Sequence, residues 1–224
     1  MNITFRLNKL RNELPEGVRL VAVSKFRNVS VIREAYDAGQ RLFGESRVQE
    51  LLTKYESLPQ DIEWHFIGHL QVNKVKYIVP FITTVQSVDR LKLLEELNRQ
   101  AGKCHRRIRV LLQIHIAQEE HKFGFSPDEV EELMNGGLQD RFPHLIFSGL
   151  MGMATFTDNS EVIRREFAFL SSFFKKLKMN ACTGNDDFKE LSMGMSDDYP
   201  LAIEEGSTMI RVGTKLFGAR NDSN

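Results

Sequence analysis

Short apolar runs alternate along this chain with longer stretches of helical periodicity. The runs are RLVAVS, RLFGE, EWHFIG, FITTVQS, RIRVLLQIHI, LIFSGLMGM, ELSMGM and TMIRVGT. They are short, rich in β-branched and aromatic residues, and bounded by turn residues, as buried strands are. Between them lie VSVIREAYDAG, DRLKLLEELNRQAG, SPDEVEELMNGG and NSEVIRREFAFLSSFFKKLK, with apolar residues every three or four positions. Ser126 before Pro127, and Asp89, are candidate helix caps; Gly39, Gly102 and Gly136 are candidate stops.

Strands separated by helices of this length must pair in parallel, because the crossover needs the intervening residues. Eight strand–helix units predict an α/β fold, a single (β/α)8 TIM barrel over residues 1–224. The opening segment 1–17, MNITFRLNKLRNELPEG, adds an amphipathic N-terminal helix ending near Pro15. An open doubly wound sheet is the alternative. No G-x-G-x-x-G follows the first strand, which counts against its dinucleotide-binding form.

Composition narrows the class of partner. The 30 Lys and Arg residues balance the 30 Asp and Glu residues, so no basic excess points to nucleic acid. No apolar run reaches membrane-spanning length, and the start has no signal-peptide apolar region. The two cysteines, Cys104 and Cys182, lack metal or redox spacing and read as ordinary thiols of a reducing compartment. A cytoplasmic chain is expected. No long exposed apolar surface can be read, so a monomer is expected too.

The candidate chemistry begins at Lys25. In a barrel of this kind the reactive groups sit at the carboxyl ends of the strands, where Lys25 ends the first one. Alternation puts Val21, Val23 and Lys25 on one side. If that side faces inward, the amine lies over the barrel mouth, where desolvation favours its nucleophilic neutral form. At the other end, LSMGMSDDYPLAIEEG and IRVGTKLFGAR each read as a strand followed by a small-residue turn, with Ser196 and Asp197 marking a helix start. Such turns let backbone N–H groups approach an anion, and barrels often bind phosphate after strands seven and eight. A lysine opposite two such turns predicts a phosphate-bearing aldehyde; pyridoxal 5′-phosphate is one. Met209, Arg211 and Gly213 share a face of strand eight, so Arg211 can reach the ligand ring, clamp its phosphate or form a structural ion pair.

The motifs LVAVSK, DAGQRLFGESRVQE, WHFIGHLQVNK, GLMGM, LSMGMSDD and RVGTKLFGAR, in this order, cover nearly the whole chain. They resemble the pyridoxal phosphate homeostasis proteins, also called the proline synthase co-transcribed family. The resemblance implies a barrel related to the amino-terminal domain of alanine racemase, with pyridoxal phosphate held as an aldimine on Lys25. It further implies a phosphate cup at Ser192, Met195, Ser196, Gly213 and Thr214, and Arg211 facing the ring nitrogen. Such a protein buffers its cofactor and delivers it to pyridoxal-phosphate-dependent apoenzymes. The chain departs from the common pattern with Phe26, Arg27 and Asn28 after the lysine, Ser46 in place of asparagine, and Lys215 where small residues are usual.

Two rival functions remain. An amino-acid racemase needs a second base opposite the lysine. The four tyrosines, Tyr36, Tyr55, Tyr77 and Tyr199, fall in helical or helix-start patterns. A phosphosugar-binding barrel would leave the lysine unmodified. His65 with His69, and His115 with His121, lack further ligands at metal spacing, so hydrogen-bonded histidines near the barrel mouth are expected instead. The methionines of GLMGM and SMGM read as core filler, and FFKKLK as a half-buried helix.

Overall fold

The computed structural model describes residues 2–119, 123–182 and 184–219. Each of the eight apolar runs contributes one strand: β1 (Arg19–Val23), β2 (Leu42–Glu45), β3 (Glu63–Phe66), β4 (Thr84–Val88), β5 (Ile108–Ile114), β6 (Leu145–Gly152), β7 (Glu190–Ser192) and β8 (Met209–Val212). All neighbours pair in parallel, and β8 closes on β1 with Leu20 opposite Ile210 and Val21 opposite Arg211. The result is a closed barrel in sequence order, not an open sheet.

The helices wrap it. A first helix, α1 (Ile3–Glu13), is capped by Asn2, which accepts the N–H of Phe5, and stops at Leu14 before Pro15. It buries Ile3, Leu7 and Leu10 on one face and packs against α2 (Val29–Asp37) and α10 (Thr214–Phe217). Between these lie α3 (Val48–Ser57), α4 (Val75–Ile78), α5 (Leu91–Lys103), α6 (Pro127–Asn135), α7 (Leu138–Arg141), α8 (Ser160–Asn180) and α9 (Tyr199–Glu204). Ser126 caps α6 in a full capping box with Glu129. The long α8 turns Ile163, Phe167, Leu170, Phe174 and Leu177 inward, three or four positions apart.

Three expected boundaries differ. The α5 helix starts after Arg90, with no side-chain cap, because the Asp89 carboxylate is used by His69 and Arg90 instead. It also runs through Gly102, where a Cβ would come within 2.8 Å of the His144 ring; packing, not helix termination, asks for glycine there. The α9 helix starts at Tyr199 rather than at Ser196 and Asp197.

Strand alternation separates two environments. Leu20, Ala22, Phe43, Trp64, Phe66, Val85, Ile210 and Val212 face the helices in one large core, while Val21, Leu42 and Met209 form a small inner cluster. Above that cluster the barrel interior is polar. Arg211 Nη1 donates to Ser192 Oγ at 2.7 Å, and Ser192 Oγ donates to Gln86 Oε1 at 2.7 Å. The Gln86 amide in turn meets His65 Nδ1 at 2.7 Å. The chain of donors crosses β8, β7, β4 and β3, and it ends on an imidazole nitrogen that must be unprotonated to accept.

Burial, with Arg19 and Arg109 nearby, pushes the His65 imidazole down to about 3, so it is neutral in the folded protein. The unfolded chain takes up this proton near pH 6.5, so the unfolded state binds more protons between the two values and stability falls as pH falls. Between pH 7 and 4.5 His65 should contribute about 2–3 kcal/mol of lost stability. Urea titrations across this range should show the loss in the wild type and a flatter profile in His65→Gln; equal slopes would contradict it.

Candidate functional site

A pocket of about 380 Å³ opens at the carboxyl ends of the strands. Lys25 and Val23 line one wall, and Met195, Ser196, Gly213 and Thr214 another, with Arg211 in its lining as well. The lysine and the two small-residue turns, nearly two hundred positions apart in sequence, therefore meet in one cavity.

The lysine's placement is built from behind. Ser24 is fully buried, and its Oγ donates to Glu45 Oε1 at 2.6 Å. Lys54, on α3, donates from Nζ to the Ser24 carbonyl at 2.9 Å, to Glu45 Oε1 at 2.7 Å and to Glu50 Oε2 at 3.1 Å. On the other side of Lys25, the Phe26 N–H donates to Glu50 Oε2 at 2.8 Å, and Phe26 takes φ 62°, a left-handed conformation unusual for an aromatic residue. Both neighbours of Lys25 are thus tied to one buried charge cluster. Burial raises the Glu45 carboxyl above its ordinary range against the opposing pull of Lys54 and Ser24, and among the described residues Glu45 Oε2 has no hydrogen-bond partner.

The opposite wall depends on close approach. Gly194 sits at φ 94°, and a Cβ there would lie 2.6 Å from Ala202 Cβ. The Gly194 carbonyl accepts the Arg211 N–H at 2.9 Å, and Ser196 Oγ accepts the Gly213 N–H at 3.3 Å, so the turns after β7 and β8 are fastened to each other. The Met195 N–H donates to Asp198 Oδ1 at 2.5 Å.

Arg211 is 3 % exposed; its Nη2 donates to the Gly152 carbonyl at 2.9 Å. Burial lowers it to about 10, opposed by Asp198, which leaves it cationic at neutral pH. Ser192 is placed differently from the expected cup: it is fully buried, and it orients Arg211 from within the barrel rather than lining the pocket. The methionines divide in the same way. Met151 and Met193 are buried, whereas Met153 and Met195 face the pocket.

Other lysines point elsewhere. Lys215 Nζ donates to the Tyr199 hydroxyl at 3.0 Å, which donates to Glu13, and Lys74 lies over the Tyr77 ring. Lys122, His121 and Arg220 lie outside the described residues. His115 meets the Glu119 carbonyl through Nε2 at 3.0 Å. Among the described residues no cluster of three or more His, Cys, Asp or Glu side chains could hold a metal ion.

Sequence reasoning missed Glu45, Lys54 and Asp89 as parts of the site. Glu45 and Lys54, and likewise Asp89 and His69, lie on different elements, so no local spacing signals these pairings. His69 lines the pocket and pairs with Asp89 at 2.8 Å.

The fold and the site place the chain among alanine-racemase-type barrels, and comparison with known proteins agrees. Residues 1–221 match the family model for the alanine racemase N-terminal domain. A pyridoxal phosphate homeostasis protein of Haemophilus influenzae is 39% identical over 236 residues, spanning 100% of this chain and 98% of that protein. The human pyridoxal phosphate homeostasis protein is 40% identical over 92% of this chain and 78% of its own length. This chain belongs to the pyridoxal phosphate homeostasis protein family. PipY of Synechococcus elongatus, solved without and with pyridoxal phosphate, superposes with TM-scores of 0.91 and 0.87 at 39% identity, over 97% of this chain and 100% of that one.

The charge cluster behind Lys25 has a measurable cost when broken. Lys54→Met leaves Glu45 buried without its ammonium partner and should destabilise the protein by about 3–5 kcal/mol. Adding Glu45→Gln should recover part of that loss in urea unfolding, since the orphaned charge is then gone; a double variant no more stable than Lys54→Met would contradict the pairing.

Proposed function

We propose that this chain holds pyridoxal 5′-phosphate covalently on Lys25 and serves as an intracellular reserve and donor of it, not as an enzyme. The observation that carries the reading is the opposition, across one pocket, of a braced primary amine and two joined hydroxyl-bearing turns. The residues present fit the cofactor: an amine for the aldehyde, hydroxyl and backbone donors for the phosphate, and a buried guanidinium for the ring. The names of the relatives and the pyridoxal-phosphate-bound PipY structure support it.

In this reading Lys25 supplies the nitrogen, while Met195, Ser196, Gly213 and Thr214 hold the phosphate. Ser192 keeps Arg211 directed at the ring nitrogen. When bound, the cofactor supplies an exchangeable carbon–nitrogen bond and an electron-withdrawing ring. Arginine donates but has no proton acceptor, so Arg211 leaves the ring nitrogen unprotonated and weakens that electron withdrawal. Among the described residues no tyrosine lines the pocket, which disfavours a racemase that would need a second base.

We take the protein to be a cytoplasmic monomer. No described helix is long and apolar enough to cross a membrane, and both cysteines are free thiols. Its exposed large apolar residues, among them Phe5, Tyr77, Phe156 and Phe169, are spread over separate elements. Apoenzymes that need pyridoxal phosphate are the proposed recipients.

Three results are expected. The purified protein should be yellow, lose its visible band on borohydride reduction, and carry the adduct on Lys25 by peptide mass mapping; an adduct on Lys74, Lys122 or Lys215 would sink the assignment. Ser196→Ala with Thr214→Val should weaken pyridoxal phosphate binding by two charge-assisted hydrogen bonds, about 1.5–3 kcal/mol each, while barely changing the binding of unphosphorylated pyridoxal. Equal losses for both ligands would show that the turns shape the fold instead. Finally, alanine in heavy water should come back without deuterium at Cα; exchange at about 1 s⁻¹ or faster would favour the racemase reading.

A further inference from the structure

We propose that His69, held by Asp89, carries the proton that makes and breaks the bond between Lys25 and its aldehyde ligand; the inference rests on the reading above. His69 follows β3 and lines the same pocket as Lys25. Its Nδ1 meets Asp89 Oδ2 at 2.8 Å, and the Asp89 side chain is 2 % exposed. The other Asp89 oxygen pairs with Arg90, whose Nη2 donates to the Leu70 carbonyl at 2.8 Å, so carboxylate and loop brace each other. The Phe123 ring stacks on the imidazole with centroids 3.9 Å apart. A buried carboxylate at Nδ1 fixes that nitrogen as the one bearing hydrogen. Nε2 is then the basic nitrogen left for the pocket.

Nothing derived above for holding the ligand uses this pair. The backbone that carries Lys25 is held from behind through Ser24 and Phe26, on the side away from this pair. A pocket that only stored its ligand would have no use for an oriented imidazole; one that must load and release does. In loading, the Lys25 nitrogen bonds to the aldehyde carbon and gives up its two hydrogens, and the aldehyde oxygen leaves with them as water. His69 takes a proton from the nitrogen and returns it to the departing oxygen. Release is the reverse, with His69 taking a proton from the entering water. Nothing is oxidised or reduced.

A proton carrier lowers the barrier equally in both directions, so its loss slows loading and release together and leaves the equilibrium alone. A structural role would not give that signature. Stopped-flow absorbance of pyridoxal phosphate mixing with stripped protein, at several concentrations, yields both rates. In His69→Gln both should fall about 10²-fold with an unchanged dissociation constant, and Asp89→Asn should slow both by a smaller factor. Free imidazole should restore part of the rate in His69→Gly. Binding of 4-deoxypyridoxine 5′-phosphate, which lacks the aldehyde, should be as in the wild type. Unchanged rates in His69→Gln, or weaker affinity without slower release, overturn the proposal. If His69→Gln also loses the aldehyde-free analogue, Asp89→Asn decides: paired slowing supports the proton role, and wild-type rates refute it. A wild-type protein that forms no bond at Lys25 would overturn the proposed function as well.

Discussion

The buried ion pair between Glu45 and Lys54 is the constraint on which the site depends. Two charges withdrawn from water are costly, and their attraction offsets the cost only where geometry is good and the remaining polar atoms find partners. Here the ammonium makes three hydrogen bonds, to Glu45, Glu50 and the Ser24 carbonyl, so satisfying it requires β1, β2 and α3 to meet at one point. That point lies directly behind Lys25. The strain of Phe26 at φ 62° is held by the Glu50 carboxylate on its N–H. A cluster that contributes little net stability can therefore fix the segment that carries Lys25, because any shift of residues 24–26 would take a hydrogen bond from the buried ammonium and from both carboxylates.

The barrel interior works by the same logic with neutral groups. Arg211, Ser192, Gln86 and His65 form a directed row of donors, and each satisfies the next. An apolar interior would pack as well, but it could not hold a guanidinium at the pocket floor with its charge intact. The polar row does so while keeping the single ionisable acceptor, His65, unprotonated. The large apolar core lies outside the sheet, between strands and helices, and carries the burden of stability. Inside, the sheet is given over to positioning.

What the sequence made legible follows from locality. All eight strands and the barrel could be read because the period-two and 3.6-residue patterns are local and strong. The inward set of Val21, Val23 and Lys25, and that of Met209, Arg211 and Gly213, follow from alternation once β1 and β8 are known to pair. Ser192 also follows by alternation, but its task does not: on β7 it points inward, and only the depth of Arg211 in the barrel decides that it meets a side chain rather than the pocket. Asp89 looked like a helix cap by its place before Leu91, yet a carboxylate with a choice between backbone N–H groups and an imidazole and guanidinium took the latter. Glu45 with Lys54, nine positions apart on a strand end and a helix, has no sequence period at all.

These features separate holding from handling. The turns after β7 and β8 are fastened to each other by the Ser196 and Gly194 contacts, and the backbone on either side of Lys25 is anchored in buried structure, which is what the proposed retention of a ligand needs. The His69–Phe123 wall differs in kind. The His69 side chain is 35 % exposed and Phe123 is 54 % exposed, so this side of the pocket meets solvent. Water is the co-product of loading and the reactant of release, and it must reach the bond from some side. In the proposed reading, a retentive wall at the phosphate and a wet, proton-carrying wall at the aldehyde end would let one cavity bind a reactive molecule firmly and still exchange it. Arg211 would complete the separation from beneath under the same proposal, since a ring nitrogen that faces a guanidinium and carries no proton would leave the bound molecule a poor acceptor of electrons from any amino acid that enters.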